Sequence, residues 1–221
     1  MKRRVRTAIL ISGRGSNMAA LIAAARAPDF PAEVALVLSN RHDAGGLALA
    51  RCAGVATATI DPKIYAGRDE FEASIQAMLE IHRVELVCLA GYMRILGPLF
   101  VNRWRGRMIN IHPSLLPAYR GLHTHERALA DGAAEHGCTV HFVEPELDAG
   151  PIIARARVPV APGDDAESLG ARVLAEEHRI YPEALAEVAA KIALEGARPL
   201  PPLAGPSETQ ERFAGGVIAK Q

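Results

Sequence analysis

Short apolar runs rich in β-branched residues alternate along the chain with segments of helical period. The runs are Val5 to Ser12, Glu33 to Ser39, Ala56 to Ile60, Val84 to Ala90 and Met108 to Ile111. Segments this apolar at successive positions belong to strands covered on both faces of a sheet. Between them, Phe71, Ile75, Met78 and Leu79 lay an apolar stripe along one side of a helix predicted from about Arg68 to His82. A second helix is expected from Met18 to Ala25. Strand alternating with helix implies a wound α/β fold, a mostly parallel central sheet with helices on both faces.

The pattern changes after Asn110. NIHPSLLPAYRG has two prolines and no period, so it reads as an irregular loop at the C-terminal end of a strand, the end where open α/β sheets bind ligands. A helix over LHTHERALAD and two more strands, Thr139 to Glu144 and Ile152 to Val160, follow. A tight turn through ELDAGP predicts that these two strands pair antiparallel at one edge of the sheet. Asp164 with Glu167 three residues on resembles a capping box, and Leu169, Val173, Ile180, Leu185 and Val188 continue an amphipathic helix that Pro182 should kink or divide. From Arg198 onward Pro199, Pro201, Pro202 and Pro206 mark a change of composition. Residues 1–197 are therefore expected to form one catalytic domain and 198–221 a loosely docked C-terminal extension.

Composition narrows the function classes. The 221 residues carry 25 Lys plus Arg against 25 Asp plus Glu, so no bulk charge draws the chain to nucleic acid. Small-molecule substrates are the expected partners. The three cysteines, Cys52, Cys88 and Cys138, are too few and too dispersed for a disulfide framework and read as buried thiols. The apolar run after the basic start is too short for a secretory signal, and no run reaches the roughly 20 residues of a membrane span. A cytoplasmic protein without membrane association is expected, a monomer or a homodimer.

Two constellations could carry chemistry. GRGSN directly follows the first strand and opens a helix, where backbone N–H groups can hold a phosphate. Gly15, Ser16 and Asn17 suit a phosphate, although a merely tight turn explains the glycines equally well. Met18 replaces the third glycine of a dinucleotide fingerprint, and Ser39-Asn40-Arg41 offers no acidic residue for a ribose, so a monophosphate fits better than NAD. The second constellation is Asn110 and His112, two apart and therefore on one face if the strand persists. An amide can donate to a developing oxyanion and an imidazole can shuttle protons. Asp148 is a candidate partner for that imidazole by charge attraction. A histidine beside a proline can equally be structural. His123, His125, His136 and His141 lack the spacing of a metal site, and none is expected. Ser16 lacks the GxSxG elbow of a nucleophile.

Taken together, ISGRGSN, LAGYMRIL, NIHPSLLP, GLHTHERAL, HFVEPELDAGPII and AEEHRIYP, in this order, resemble the phosphoribosylglycinamide formyltransferases from about Val5 to Pro182. The resemblance implies a Rossmann-like formyltransferase fold, with 10-formyltetrahydrofolate as formyl donor and glycinamide ribonucleotide as acceptor. It implies Asn110, His112 and Asp148 as the catalytic trio. It further implies Gly15, Ser16, Asn17 and Glu177 at the nucleotide. Arg68, Met93, Arg94, Ile95, Leu96, Asn110, His141, Glu144, Pro145, Glu146, Leu147 and Asp148 fall to the folate.

Arg120 departs from the proline that many bacterial members have before GLHTH, and an Arg-Gly pair there is also similar to methionyl-tRNA formyltransferases. Those carry a C-terminal tRNA-binding domain, and only about forty residues follow Pro182 here. A formyltetrahydrofolate deformylase differs by an N-terminal regulatory domain, for which no room precedes Val5. An NADP-dependent reductase or a binding protein on the same sheet, with Arg41 at a 2′-phosphate, is the competing class.

Overall fold

A computed structural model describes residues 3–196. The expected extension at 198–221 lies outside them. Seven strands form one sheet: β1 (Val5–Ile11), β2 (Ala32–Ser39), β3 (Thr57–Thr59), β4 (Leu86–Leu89), β5 (Met108–His112), β6 (Glu135–Phe142) and β7 (Ile152–Pro159), in the order β3-β2-β1-β4-β5-β6-β7. The first five run parallel, and β6 is antiparallel to both β5 and β7. Strand order reverses between β1 and β4, a switch point that leaves a crevice outside the strand ends.

Alternation within each strand assigns the helices to the two faces. Ile9, Ile11, Cys88, Ile109, Ile111 and Val140 point to one core, covered by α1 (Ser16–Ala25), α2 (Gly45–Cys52) and α6 (Ala166–Glu195). Ala8, Leu10, Leu36, Val87, Leu89 and Met108 point to the other, under α3 (Arg68–Ile81) and α4 (Pro98–Arg103). α5 (Thr124–Ala130) flanks α6.

Four expectations change. β6 and β7 are antiparallel as expected, but residues 143–151 join them as an open loop instead of a tight turn. The cap of α6 is Asp165, which accepts Ser168 N–H at 2.8 Å while Ser168 Oγ accepts Asp165 N–H. Asp164 instead binds Arg172 with both oxygens, at 2.9 Å each. Pro182 does not divide α6, because Ile180, Tyr181, Ala184 and Leu185 on either side of it are buried against the sheet, and that packing outweighs one lost backbone bond. Finally, Cys52 ends α2 on its outer side and is exposed, whereas Cys88 and Cys138 are buried thiols. Among the described residues no helix is long and apolar enough to cross a membrane.

Candidate active site

β5 remains a strand through His112. Because Ile109 and Ile111 point into the α1, α2 and α6 core, Asn110 and His112 project together to the opposite face. Antiparallel register sets His141 across from Asn110 and Thr139 across from His112, on that same face. Beyond α3 and α4 this face opens into a cavity of about 820 Å³.

The side chains of Asn110, His112, His141 and Asp148 have definable partners there. His141 Nδ1 donates to Phe142 O at 2.8 Å, so its Nε2 lone pair accepts from Asn110 Nδ2 at 3.1 Å. Burial holds the His141 pKa below the usual imidazole value, which keeps that lone pair available. An amide has two N–H bonds, and the second of Asn110 is left for another acceptor. His112 Nε2 meets Tyr119 O at 2.9 Å, and its Nδ1 faces Asp148 Oδ2 at 3.4 Å. Asp148 Oδ2 also accepts Gly121 N–H at 2.9 Å, and its Oδ1 lies 3.7 Å from His141 Nε2. Asp148 sits at φ 49°, in the left-handed region that aspartate tolerates better than most residues. That conformation points its carboxylate, 7% exposed, between the two histidines.

The loop over residues 113–121 is fastened to this centre. Thr139 Oγ1 donates to Ser114 O at 2.6 Å and accepts Leu116 N–H at 3.1 Å. Outside, Arg120 pairs with Glu146 at 2.7 Å, so the two cleft loops are linked by an exposed ion pair as well as by Asp148 and Gly121.

Elsewhere on the cavity wall, Asn17 Nδ2 donates to Glu177 Oε2 at 2.7 Å. Burial pushes the Glu177 carboxyl above the usual range, opposed by that hydrogen bond. Asn17 Oδ1 is buried with no partner, a polar atom suited to a donor from a ligand. Gly15 and Ser16 do not reach the cavity wall. Gly15 adopts φ 78°, and a Cβ there would stand 2.8 Å from Gly46 Cα. The α1–α2 approach thus accounts for this glycine by packing.

Of the folate set, Met93, Arg94, Ile95, Leu96, Asn110, His141, Glu144, Pro145, Leu147 and Asp148 line the cavity. Arg68, in the first turn of α3, and Glu146, paired outward with Arg120, do not. Tyr92, Thr124 and His125 also line it. They lie within LAGYMRIL and GLHTHERAL, blocks that mark the region; of the three only His125 stands out in the sequence, and there as a metal-ligand candidate. Tyr119 O and Gly121 N–H are backbone groups and carry no residue-type signal.

The histidines have separate partners. His125 and His136 bond each other at 3.1 Å, His123 meets Glu126 at an exposed part of the cavity wall, and His141 belongs to the centre above. Among the described residues no group of three or more His, Cys, Asp or Glu is placed to hold a metal ion. The Arg41 guanidinium is engaged by both oxygens of Asp43, at 3.0 and 2.7 Å.

Residues 5–185 match the formyl transferase family. Phosphoribosylglycinamide formyltransferase of Escherichia coli is 48% identical over 174 residues, 79% of this chain and 82% of that protein. The trifunctional purine biosynthetic protein adenosine-3 of Homo sapiens is also 48% identical, over 85% of this chain, which spans only 19% of that longer protein. The crystal structure of phosphoribosylglycinamide formyltransferase from Brucella melitensis superposes with a TM-score of 0.82 at 51% identity, covering 90% of this chain and all of that one.

Proposed function

Since the chain belongs to the formyl transferase family, and within it to the phosphoribosylglycinamide formyltransferases, we propose that it carries a formyl group from 10-formyltetrahydrofolate to the glycine amine of glycinamide ribonucleotide. The observation that carries this reading is that Asn110, His112 and Asp148 line the same cavity as the Asn17–Glu177 pair. A single volume lined by both a proton-handling centre and a polar recognition pair suits two substrates that must meet.

In the proposed reaction the amine attacks the formyl carbon and the oxygen becomes an oxyanion. Asn110 Nδ2 donates its remaining N–H to that oxygen while His141 keeps the amide turned toward the cavity. His112 acts as general acid from Nε2, exchanging the Tyr119 carbonyl for the substrate oxygen, while Asp148 holds the ring from the Nδ1 side. As the bond between the formyl carbon and the folate nitrogen breaks, Asp148 relays the proton lost by the attacking amine to that departing nitrogen, and His112 takes back its own proton as the carbonyl re-forms. Glu177, oriented by Asn17, accepts from the ribose hydroxyls. Leu96, Ile95 and Met93 flank the flat pteridine, and the backbone of residues 144–148 reads its edge. Arg94 and, from outside the cavity wall, Arg68 are within the region where the donor's carboxylates emerge.

Consumption of 10-formyltetrahydrofolate by the purified protein, followed with and without glycinamide ribonucleotide, tests this. Nucleotide-dependent formyl transfer is expected. Equal consumption without nucleotide assigns a deformylase instead, and no consumption contradicts both.

A further inference from the structure

The loop from Gly91 to Gly97 supplies six residues of the cavity wall, Gly91 to Leu96, and side chains from elsewhere hold both of its ends. At the near end Ser12 Oγ accepts Met93 N–H at 2.8 Å and donates to Asn40 Oδ1 at 2.6 Å. At the far end Glu72 Oε1 accepts Gly97 N–H at 2.6 Å. Glu72 stands on the buried side of α3 beside Phe71 and Ile75, only 6% exposed. A carboxylate placed there is costly unless it is hydrogen-bonded, and the Gly97 N–H supplies that bond.

Two further features match this contact. A Cβ on Gly97 would lie 2.9 Å from Glu72 Oε2, so the glycine leaves room for the carboxylate to come this close. Arg94, on the loop itself, lays its guanidinium 5.2 Å over the ring of Phe71, the residue preceding Glu72. The charges around Glu72 are Arg68 and Asp69 from its own helix and Arg94 from the loop.

On the reading that the 91–97 wall receives the formyl donor, we propose that Glu72 is a positioning residue for that donor, tethering the far end of the loop through Gly97 N–H without touching substrate. The catalytic trio stands on β5 and on the 143–151 loop, so loosening this wall leaves the chemical centre in place. What changes is the fraction of molecules with the wall formed, and apparent affinity falls in proportion to that fraction.

Steady-state kinetics of Glu72→Ala and Glu72→Gln, with amide hydrogen exchange of the substrate-free proteins, test the tether. In Glu72→Ala the KM for 10-formyltetrahydrofolate should rise about tenfold, with kcat within about threefold and the nucleotide KM unchanged, as expected when only the competent fraction falls. Glu72→Gln, whose Oε1 still accepts the Gly97 N–H, should return the donor KM to within about twofold of wild type. Exchange should quicken at residues 91–97 in the alanine variant and nowhere else. An unchanged donor KM, or a parallel loss of kcat and of both affinities with exchange raised throughout, overturns the proposal. Were the wild-type protein to transfer no formyl group, the activity proposed above would fall by itself, and the exchange measurement, made without substrate, would still support or overturn the tether.

Discussion

At single residues, what each polar atom faces decides its use. Asn110 is useful because His141 occupies only one of its two N–H bonds, and Glu177 because Asn17 holds it where water scarcely reaches. Replacing Asn17 by alanine leaves a buried carboxylate without its donor, a loss in the range of about 1.5–3 kcal/mol for a hydrogen bond to a charged group. The nucleotide KM of Asn17→Ala should therefore rise at least about tenfold with kcat little changed. An unaltered nucleotide KM in steady-state assays would remove Asn17 from recognition. Asn110 and His112 could be read from their spacing of two on a strand. Glu72 could have been noticed, since Phe71, Glu72, Ile75, Gln76 and Leu79 form the buried side of α3 and two of the five are polar. Its partner is a backbone N–H, which no residue pattern reveals.

At the scale of elements, periodicity located the strands within a few residues, most directly β1, β4 and β5, where burial on both sheet faces forces continuous apolar runs. It missed α2 and α4, which are short, and it misjudged the connection from β6 to β7. ELDAGP has turn composition, yet Asp148 takes its left-handed conformation to reach His112 and His141 inside an open loop. Pro182 misled for a related reason, since tertiary packing along α6 overrides a local preference. The glycine loop shows packing and function side by side. Gly15→Ala must hold an L-residue at φ 78° and move Gly46 away. A loss of about 1–3 kcal/mol is expected from the left-handed backbone and the overpacking together. Urea unfolding measures it, and a variant as stable as wild type would show that the α1–α2 approach is not tight.

For the whole molecule, pH couples to folding through a buried histidine to which the proposed chemistry assigns no step. His136 on β6 is fully buried and bonded to His125, and burial, aided by the His125 charge, lowers its pKa to about 4. The unfolded chain takes up this proton near 6.5. Its contribution to stability is thus complete above that pH and is lost as pH falls toward 4, amounting to at most about 3 kcal/mol. Unfolding free energies at pH 7.5 and 4.5 should drop less in His136→Gln than in wild type. Equal drops would mean that His136 is not the group responsible.

Formation of the transferred product under saturation by both substrates, in His112→Ala beside wild type, bears most directly on the proposed centre. With folding intact and both substrates still bound, the variant should lose about 10²–10⁴ in turnover, the range supplied by a positioned general acid. Turnover within about threefold of wild type would take His112 out of the chemistry and leave its contacts to Tyr119 and Asp148 as structure alone.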